Sequence, residues 1–262
     1  MTASAAPGPV TRYPTLAAAF LRPFMKQAAV QHGERVLDIA PVGGEAAVEA
    51  AIRARHRGEV LSVGSRPEVL EAVAYAARDA GMTTIRTARM DPGHLDLEDA
   101  YWDVVTCHLG LSEIADLEQA FKEMLRVLRP VGRIALSVLA ERARCPLATI
   151  FLDGVAKHVP AARAELDALF RISESGGLSR LLAGVGFEDA VPERSVQRLS
   201  FRDVDDYWDF VTTGTRFGRI AAHLSPEAVD GCKADIAGRT RIHGQREGIE
   251  LRVEVLLLAA VK

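Results

Sequence analysis

The chain predicts an alternating α/β fold, a mostly parallel sheet wound on both faces by helices. Three observations carry this reading. Short β-branched, apolar runs alternate with Ala- and Leu-rich helical segments through the first 140 or so positions, and such alternation is the pattern of a parallel sheet. The stretch Val36-Leu37-Asp38-Ile39-Ala40-Pro41-Val42-Gly43-Gly44 runs from a buried-strand pattern into a glycine pair and then an Ala-rich segment. A strand, a tight turn and a helix start form the nucleotide- or phosphate-binding corner of a doubly wound sheet. Finally, the long apolar run Ile249–Val261 lies far from the other strand patterns, which suits a mixed or antiparallel pairing at the end of the chain.

Taken in order, Leu16–Gln31 reads as a helix, Arg35–Ala40 as a strand and Glu45–Arg55 as a helix. Glu59–Val63 is a strand opened by Gly58. Pro67–Ala80 is a helix with Ser65 available as its cap, Pro67 in its first turn and Gly81 as its stop. Thr83–Ala88 and Trp102–Cys107 are strands, Asp116–Leu128 a helix and Arg133–Leu139 a strand. Beyond Pro146 the texture becomes helical, with segments Pro146–Lys157, Ala161–Phe170 and Gly177–Gly184. Ala190–Leu199 is strand-like, and Val204–Thr212 and Pro226–Gly238 are helical.

Composition narrows the function classes. The 262 residues are 48% hydrophobic and 26% charged, with a net charge of −3, which suits an ordinary globular protein and argues against a nucleic-acid surface. The longest apolar run, Val255–Val261, is too short to span a bilayer. Met1–Pro9 has no basic segment before an apolar core, so a cytoplasmic protein without a signal peptide is expected. The three cysteines are far apart and match no metal or disulfide framework; free thiols and no metal site are expected.

Several ordered motifs resemble the class I S-adenosylmethionine (SAM) dependent methyltransferases, in particular the small-molecule branch that includes quinone-biosynthesis and natural-product tailoring enzymes. They are Gly33 through Asp38, Arg66-Pro67-Glu68-Val69-Leu70, Met90-Asp91, Tyr101 through Cys107, Phe121 through Pro130, Val185-Gly186-Phe187 and the late segment from Phe201 to Trp208. The resemblance covers roughly residues 15–262. It implies a Rossmann-like, seven-stranded, mostly parallel sheet with an inserted helical lid. The implied organisation is a flexible N-terminus over 1–14, a core over 15–140, a lid over 141–176, and a completion of the core with further lid helices over 177–262.

The resemblance also implies a SAM site built from Asp38, Ala40, Gly43, Gly44, Ser65, Met90, Asp91 and His108. Asp91 matches the residue that accepts the adenine amino group. Three departures fall on or near that site. Val42 replaces the central glycine of the first turn, and a β-branched residue there resists positive φ and crowds a ligand. Gly64 replaces the acid that accepts hydrogen bonds from both ribose hydroxyls, a loss of about 1.5–3 kcal/mol. Val131 replaces a glycine in the turn Pro130-Val131-Gly132.

Among groups able to do chemistry, His108 follows the fourth strand and could act as a general base; the alternative is a histidine hydrogen-bonded in the wall. Asp38 could serve the cofactor or satisfy turn N–H groups. Phe151, Val155, Phe170, Tyr207 and Trp208 are expected in the lid, facing an apolar substrate pocket. On this basis the altered SAM motif favours a repurposed tailoring enzyme, a cyclase or isomerase acting on an apolar biosynthetic intermediate. A working methyltransferase transferring a methyl group to O, N or C of a small apolar acceptor is the alternative, and a non-catalytic binding subunit the third. The expected partner is a small molecule, not nucleic acid or membrane, in a protein that a homodimer would suit.

Overall fold

The computed structural model describes residues 15–173, 176–213, 217–241, 244–245 and 248–262; the expected flexible segment over 1–14 lies outside them. Helix α1 (Leu16–Ala28) leads into β1 (Arg35–Ile39), α2 (Glu45–Ala54), β2 (Glu59–Gly64), α3 (Pro67–Asp79) and β3 (Ile85–Arg89). Then come β4 (Trp102–His108), α4 (Leu117–Val127) and β5 (Leu128–Leu139), followed by helices α5 (Pro146–Val155), α6 (Ala161–Phe170) and α7 (Gly177–Val185). The chain closes with β6 (Glu188–Phe201), α8 (Val204–Thr213), α9 (Gly218–Ala221), α10 (Pro226–Thr240), β7 (Gly244–Gln245) and β8 (Gly248–Val261). Seven strands lie in the order β3-β2-β1-β4-β5-β8-β6, with the two-residue β7 paired to β8.

The sheet is parallel from β3 to β5, and β8 joins antiparallel to β5, Leu139 opposite Val255 and Arg133 opposite Val261. This is the mixed pairing expected of the last strand. The strand order reverses between β1 and β4, and ligands of open α/β sheets bind outside the carboxyl ends of the strands at such a point. Every residue of β4 is buried, as a central strand covered on both faces requires. On α2 the buried face is Ala46, Ala47, Ala50, Ala51 and Ala54. Small side chains bring the helix close to its neighbours, and a Cβ on Gly44 would collide with Ala76 of α3.

Two details differ from the sequence reading. The N-cap of α3 is Arg66, and no side chain caps the helix, so Ser65 is not its cap. The strand β5 begins at Leu128, and its register against β4 shifts between Trp102 and Val104. Val131 there takes a left-handed φ of 59° and is 77% exposed, so the extra residue bulges into solvent rather than into the core.

The chain divides into two compact units. One joins residues 17–141 with 167–195 and 254–262 and carries the parallel sheet. The other joins 142–166 with 196–253 and is mainly helical. In the helical unit the Tyr207 hydroxyl donates to the Leu147 carbonyl at 2.6 Å, and Lys157 pairs with Asp235 at 2.7 Å. Among the described residues no helix is long and apolar enough to cross a membrane. The cysteines Cys107, Cys145 and Cys232 are buried free thiols.

Candidate functional site

A small cleft of about 20 Å³ lies at the carboxyl ends of β1 and β2, lined by Ala40, Pro41, Gly64, Ser65, Arg66 and Glu113, with Val69, Leu70 and Pro92 completing its walls. The backbone shapes it. Ala40 takes a left-handed φ of 48° immediately after β1, and its N–H donates to the Val63 carbonyl at 2.8 Å. That bond ties the exit of β1 to the exit of β2. From the other side, a Cβ on Gly110 would collide with the Ala40 carbonyl, so only glycine allows the loop after β4 to pack so closely on the loop after β1.

This geometry revises the role expected of Val42. The left-handed residue of the turn is Ala40 and not Val42. Val42 is 43% exposed and lies outside the residues that line the cleft. Gly43 and Gly44 are outside that lining too. A Cβ on Gly43 would meet the flexible end of Glu45, whereas Gly44 is needed for helix packing. Of the eight positions expected to hold a cofactor, Ala40 and Ser65 line the cleft itself.

Asp38 and His108 are interior groups. Asp38, 1% exposed, accepts hydrogen bonds from Ser62 Oγ at 3.0 Å and Thr106 Oγ1 at 3.1 Å, linking β1 to both neighbouring strands. Burial pushes its carboxyl up to about 7, aided by the charge of Glu45, and the two hydroxyl donors only partly offset this. His108 is 2% exposed and stacks on Phe24 of α1, ring centroids 4.3 Å apart. Its Nε2 lies 2.9 Å from the Ala17 carbonyl, which can only accept, so Nε2 carries the proton and Nδ1 accepts from Ser137 Oγ at 2.7 Å. Burial lowers its pKa to about 4. With both nitrogens committed, His108 is a neutral clamp fastening α1 to β4 and β5, not a base presented to a reacting atom.

The segment that follows β3, where the resemblance places Asp91, is braced by α4. The Met90 N–H donates to the Gly64 carbonyl at 3.1 Å, and Pro92 reaches the cleft. Asp91 is exposed, and its Oδ1 accepts from the Gly93 N–H at 2.9 Å. Arg126 donates to the Leu95 and Leu97 carbonyls at 2.8 and 2.7 Å and pairs with Glu123 at 2.8 Å, while Glu123 accepts the Leu95 N–H. Gln119 adds a bond to the Gly93 carbonyl at 3.2 Å. The motif running from Phe121 to Pro130 therefore holds the loop that follows β3.

The aromatic residues expected in a substrate pocket are interior packing. Phe151, Val155 and Tyr207 are fully buried and Trp208 is 7% exposed. Phe151 lies 5.4 Å from both Trp208 and Phe217, ring centre to ring centre, and Tyr207 5.3 Å from Phe201. These rings form the core of the helical unit. Phe170 is buried in α6. Among the described residues no group of three or more His, Cys, Asp or Glu could hold a metal ion.

Sequence reasoning quoted Arg66 only as part of a motif, gave Gly110 no role of its own and missed Glu113. Arg66 and Glu113 approach each other to 3.6 Å, and a lone Arg and a lone Glu 47 positions apart carry no periodic signal. Gly110 could have been flagged as a glycine at a strand exit.

The residues fit a SAM-like nucleoside in kind. The hydroxyl of Ser65 and the carboxylate of Glu113 are polar groups of the kind that sugar hydroxyls pair with, and Pro41, Val69, Leu70 and Pro92 offer an apolar wall to a flat ring. Strand order, cleft position and the antiparallel β8 define the class I SAM-dependent methyltransferase fold. Solved structures share it: a SAM-dependent methyltransferase from Aquifex aeolicus (12% identity, TM-score 0.55, covering 94% of this chain and 91% of that one) and the YcgJ protein from Bacillus subtilis (20% identity, TM-score 0.60, 92% and 97%). The [4+2]-cyclase SpnF has the same fold (18% identity, TM-score 0.57, 93% and 80%).

Within that class, the ubiE/COQ5 methyltransferase family model matches residues 19–161, more than half of the chain, and the protein belongs to this family. Similar proteins include the ubiquinone/menaquinone biosynthesis C-methyltransferases UbiE of Ralstonia pickettii and Azotobacter vinelandii. The first is 38% identical over 108 residues, 41% of this chain and 44% of that protein. The second is 28% identical over 171 residues, 61% of this chain and 68% of that protein. The match thus spans less than half the length of the R. pickettii relative.

Proposed function

We propose that the protein is a SAM-dependent methyltransferase acting on a small apolar acceptor of the quinone-precursor kind. The observation that carries this reading is the cleft at the ends of β1 and β2, whose lining does not include Val42. The residue expected to block a nucleoside is not part of that lining. The names of the UbiE relatives, C-methyltransferases, support carbon as the methylated atom. When bound, SAM supplies an electrophilic methyl on a positively charged sulfur. The chain's own part is to bind and orient: Ser65 and Glu113 take the polar edge of the nucleoside. His108 holds α1 in place.

Gly64 favours a second reading, a non-methylating cyclase or isomerase, because a scaffold that does not use SAM has no need of a ribose carboxylate there. Calorimetry with SAM and S-adenosylhomocysteine (SAH), followed by a methyl-labelled transfer assay on a panel of quinone precursors, separates the two. Micromolar binding and labelled product are expected. Absence of binding to both ligands refutes the methyltransferase reading.

A further inference from the structure

The cleft has lost an acid in one place and holds one in another. Gly64 ends β2 with only Pro41 Cδ (3.5 Å) and Ala40 Cα (3.7 Å) near where its Cβ would be, so the space for a side chain is present but no carboxylate fills it. Glu113 enters the same cleft from the loop after β4. Its turn is firmly placed. The N–H of Glu113 donates to the Gly110 carbonyl at 2.9 Å, Leu111 beside it is fully buried, and Gly110 itself packs on the Ala40 carbonyl. The Glu113 side chain is 16% exposed, and its carboxylate stands 3.6 Å from Arg66, two residues beyond Gly64.

We infer that Glu113 accepts the hydrogen bonds of the ribose hydroxyls, having moved this function from the end of β2 to the turn after β4. A carboxylate takes two hydroxyl donors wherever its oxygens reach them, so the chemistry can migrate between strands while the ligand stays in place. Acceptance by a charged oxygen is also the strongest of the polar contacts this cleft can offer. The inference rests on the cofactor reading above and deepens it. It assigns sugar recognition to a residue the sequence pattern does not mark, and it explains how Gly64 is tolerated. Anionic sugar ligands are disfavoured, because Arg66 is flanked by Glu113 and by Glu68 at 2.9 Å.

The test is calorimetry on the full chain with SAH and with its 2′-deoxy analogue. The wild type should bind SAH and prefer it to the deoxy compound. Glu113→Gln and Glu113→Ser should weaken SAH about tenfold to a hundredfold and lose the preference for the 2′-hydroxyl. Adding Gly64→Asp to Glu113→Gln should restore at least tenfold in affinity together with the preference, whereas Gly64→Asp alone should gain less than threefold. If the wild type binds SAH and both Glu113 variants bind it within threefold of wild type, the inference fails and the cofactor reading stands. It also fails if the variants weaken binding yet keep the preference for the 2′-hydroxyl, since Glu113 is then merely structural. Tighter wild-type binding of 2′-AMP than of adenosine would assign the sugar to Arg66 and overturn it as well. A wild type that binds neither SAM nor SAH overturns both readings.

Discussion

Replacing Asp38 by Asn should expose a pH dependence that the wild type conceals. Asp38 is buried with a carboxyl raised from 3.8 to about 7, and His108 is buried with its pKa lowered from 6.5 to about 4. At pH 5.5 the unfolded chain therefore carries an ionised Asp38 and a protonated His108, and the folded chain carries the reverse. Folding moves one proton from imidazole to carboxyl with no net uptake. The raised acid contributes stability that is lost as pH climbs from about 4 to 7. The depressed base contributes stability that is lost as pH falls from about 6.5 to 4. Each slope is about 1.4 kcal/mol per pH unit, and the two cancel where they overlap. In Asp38→Asn only the His108 slope remains, so stability should rise by about 2 kcal/mol between pH 5 and 6.5 while the wild type stays flat. At pH 8 the variant should exceed the wild type by up to about 4 kcal/mol, less whatever Asn loses in its bonds to Ser62 and Thr106. Urea unfolding can be followed by Trp102 in a Trp208→Phe background, which confines the signal to the sheet unit. A variant as flat as the wild type from pH 5 to 6.5 would refute the reasoning.

Val42→Gly should leave SAH affinity within threefold of wild type by calorimetry, because the residue is not part of the cleft lining; a tenfold gain would show that Val42 obstructs the ligand. Gly110→Ala should cost about 1–3 kcal/mol in chemical denaturation through overpacking against the Ala40 carbonyl, and should weaken SAH binding as the cleft distorts. Arg126→Ala removes charged donors from the Leu95 and Leu97 carbonyls and should destabilise the sheet unit by about 1.5–3 kcal/mol, with increased proteolysis near residues 90–99. Tyr207→Phe leaves the Leu147 carbonyl without its buried donor and should cost about 1–2 kcal/mol, read from Trp208 fluorescence during urea unfolding.

The fold was legible because its signals are local. The alanine stripe of α2, Pro67 and Gly81 bracketing α3, and the apolar run of β4 each announce an element without reference to distant residues. Gly81 takes the positive φ of 67° that a helix stop requires. The site was legible only in outline. Which residue of the turn after β1 becomes left-handed depends on the bond from Ala40 to Val63 on another strand, so the position of Val42 in a motif was a poor guide to its backbone conformation. The role of His108 is decided by a carbonyl 91 positions away. No pattern in the chain announces that partner, and the same residue with one nitrogen released would be a credible base. The aromatic cluster was recognised as helical and bulky, but its inward face is set by how α5 and α8 pack together. Glu113 escaped notice because its importance comes from the absence of an acid at Gly64.

The contact between Gly110 and Ala40 bears on how a ligand comes and goes. The loops after β1 and β4 form two lips of the cleft, and there the backbone of one touches the backbone of the other with no side chain between. Neither lip can swing outward without dragging its neighbour, and each is anchored again, one to Val63 and the other to Ser137. Exchange should therefore proceed over the edge bordered by Ser65 and Pro92, without a slow opening step. Ligand association in stopped-flow mixing should follow a single exponential whose rate rises linearly with concentration.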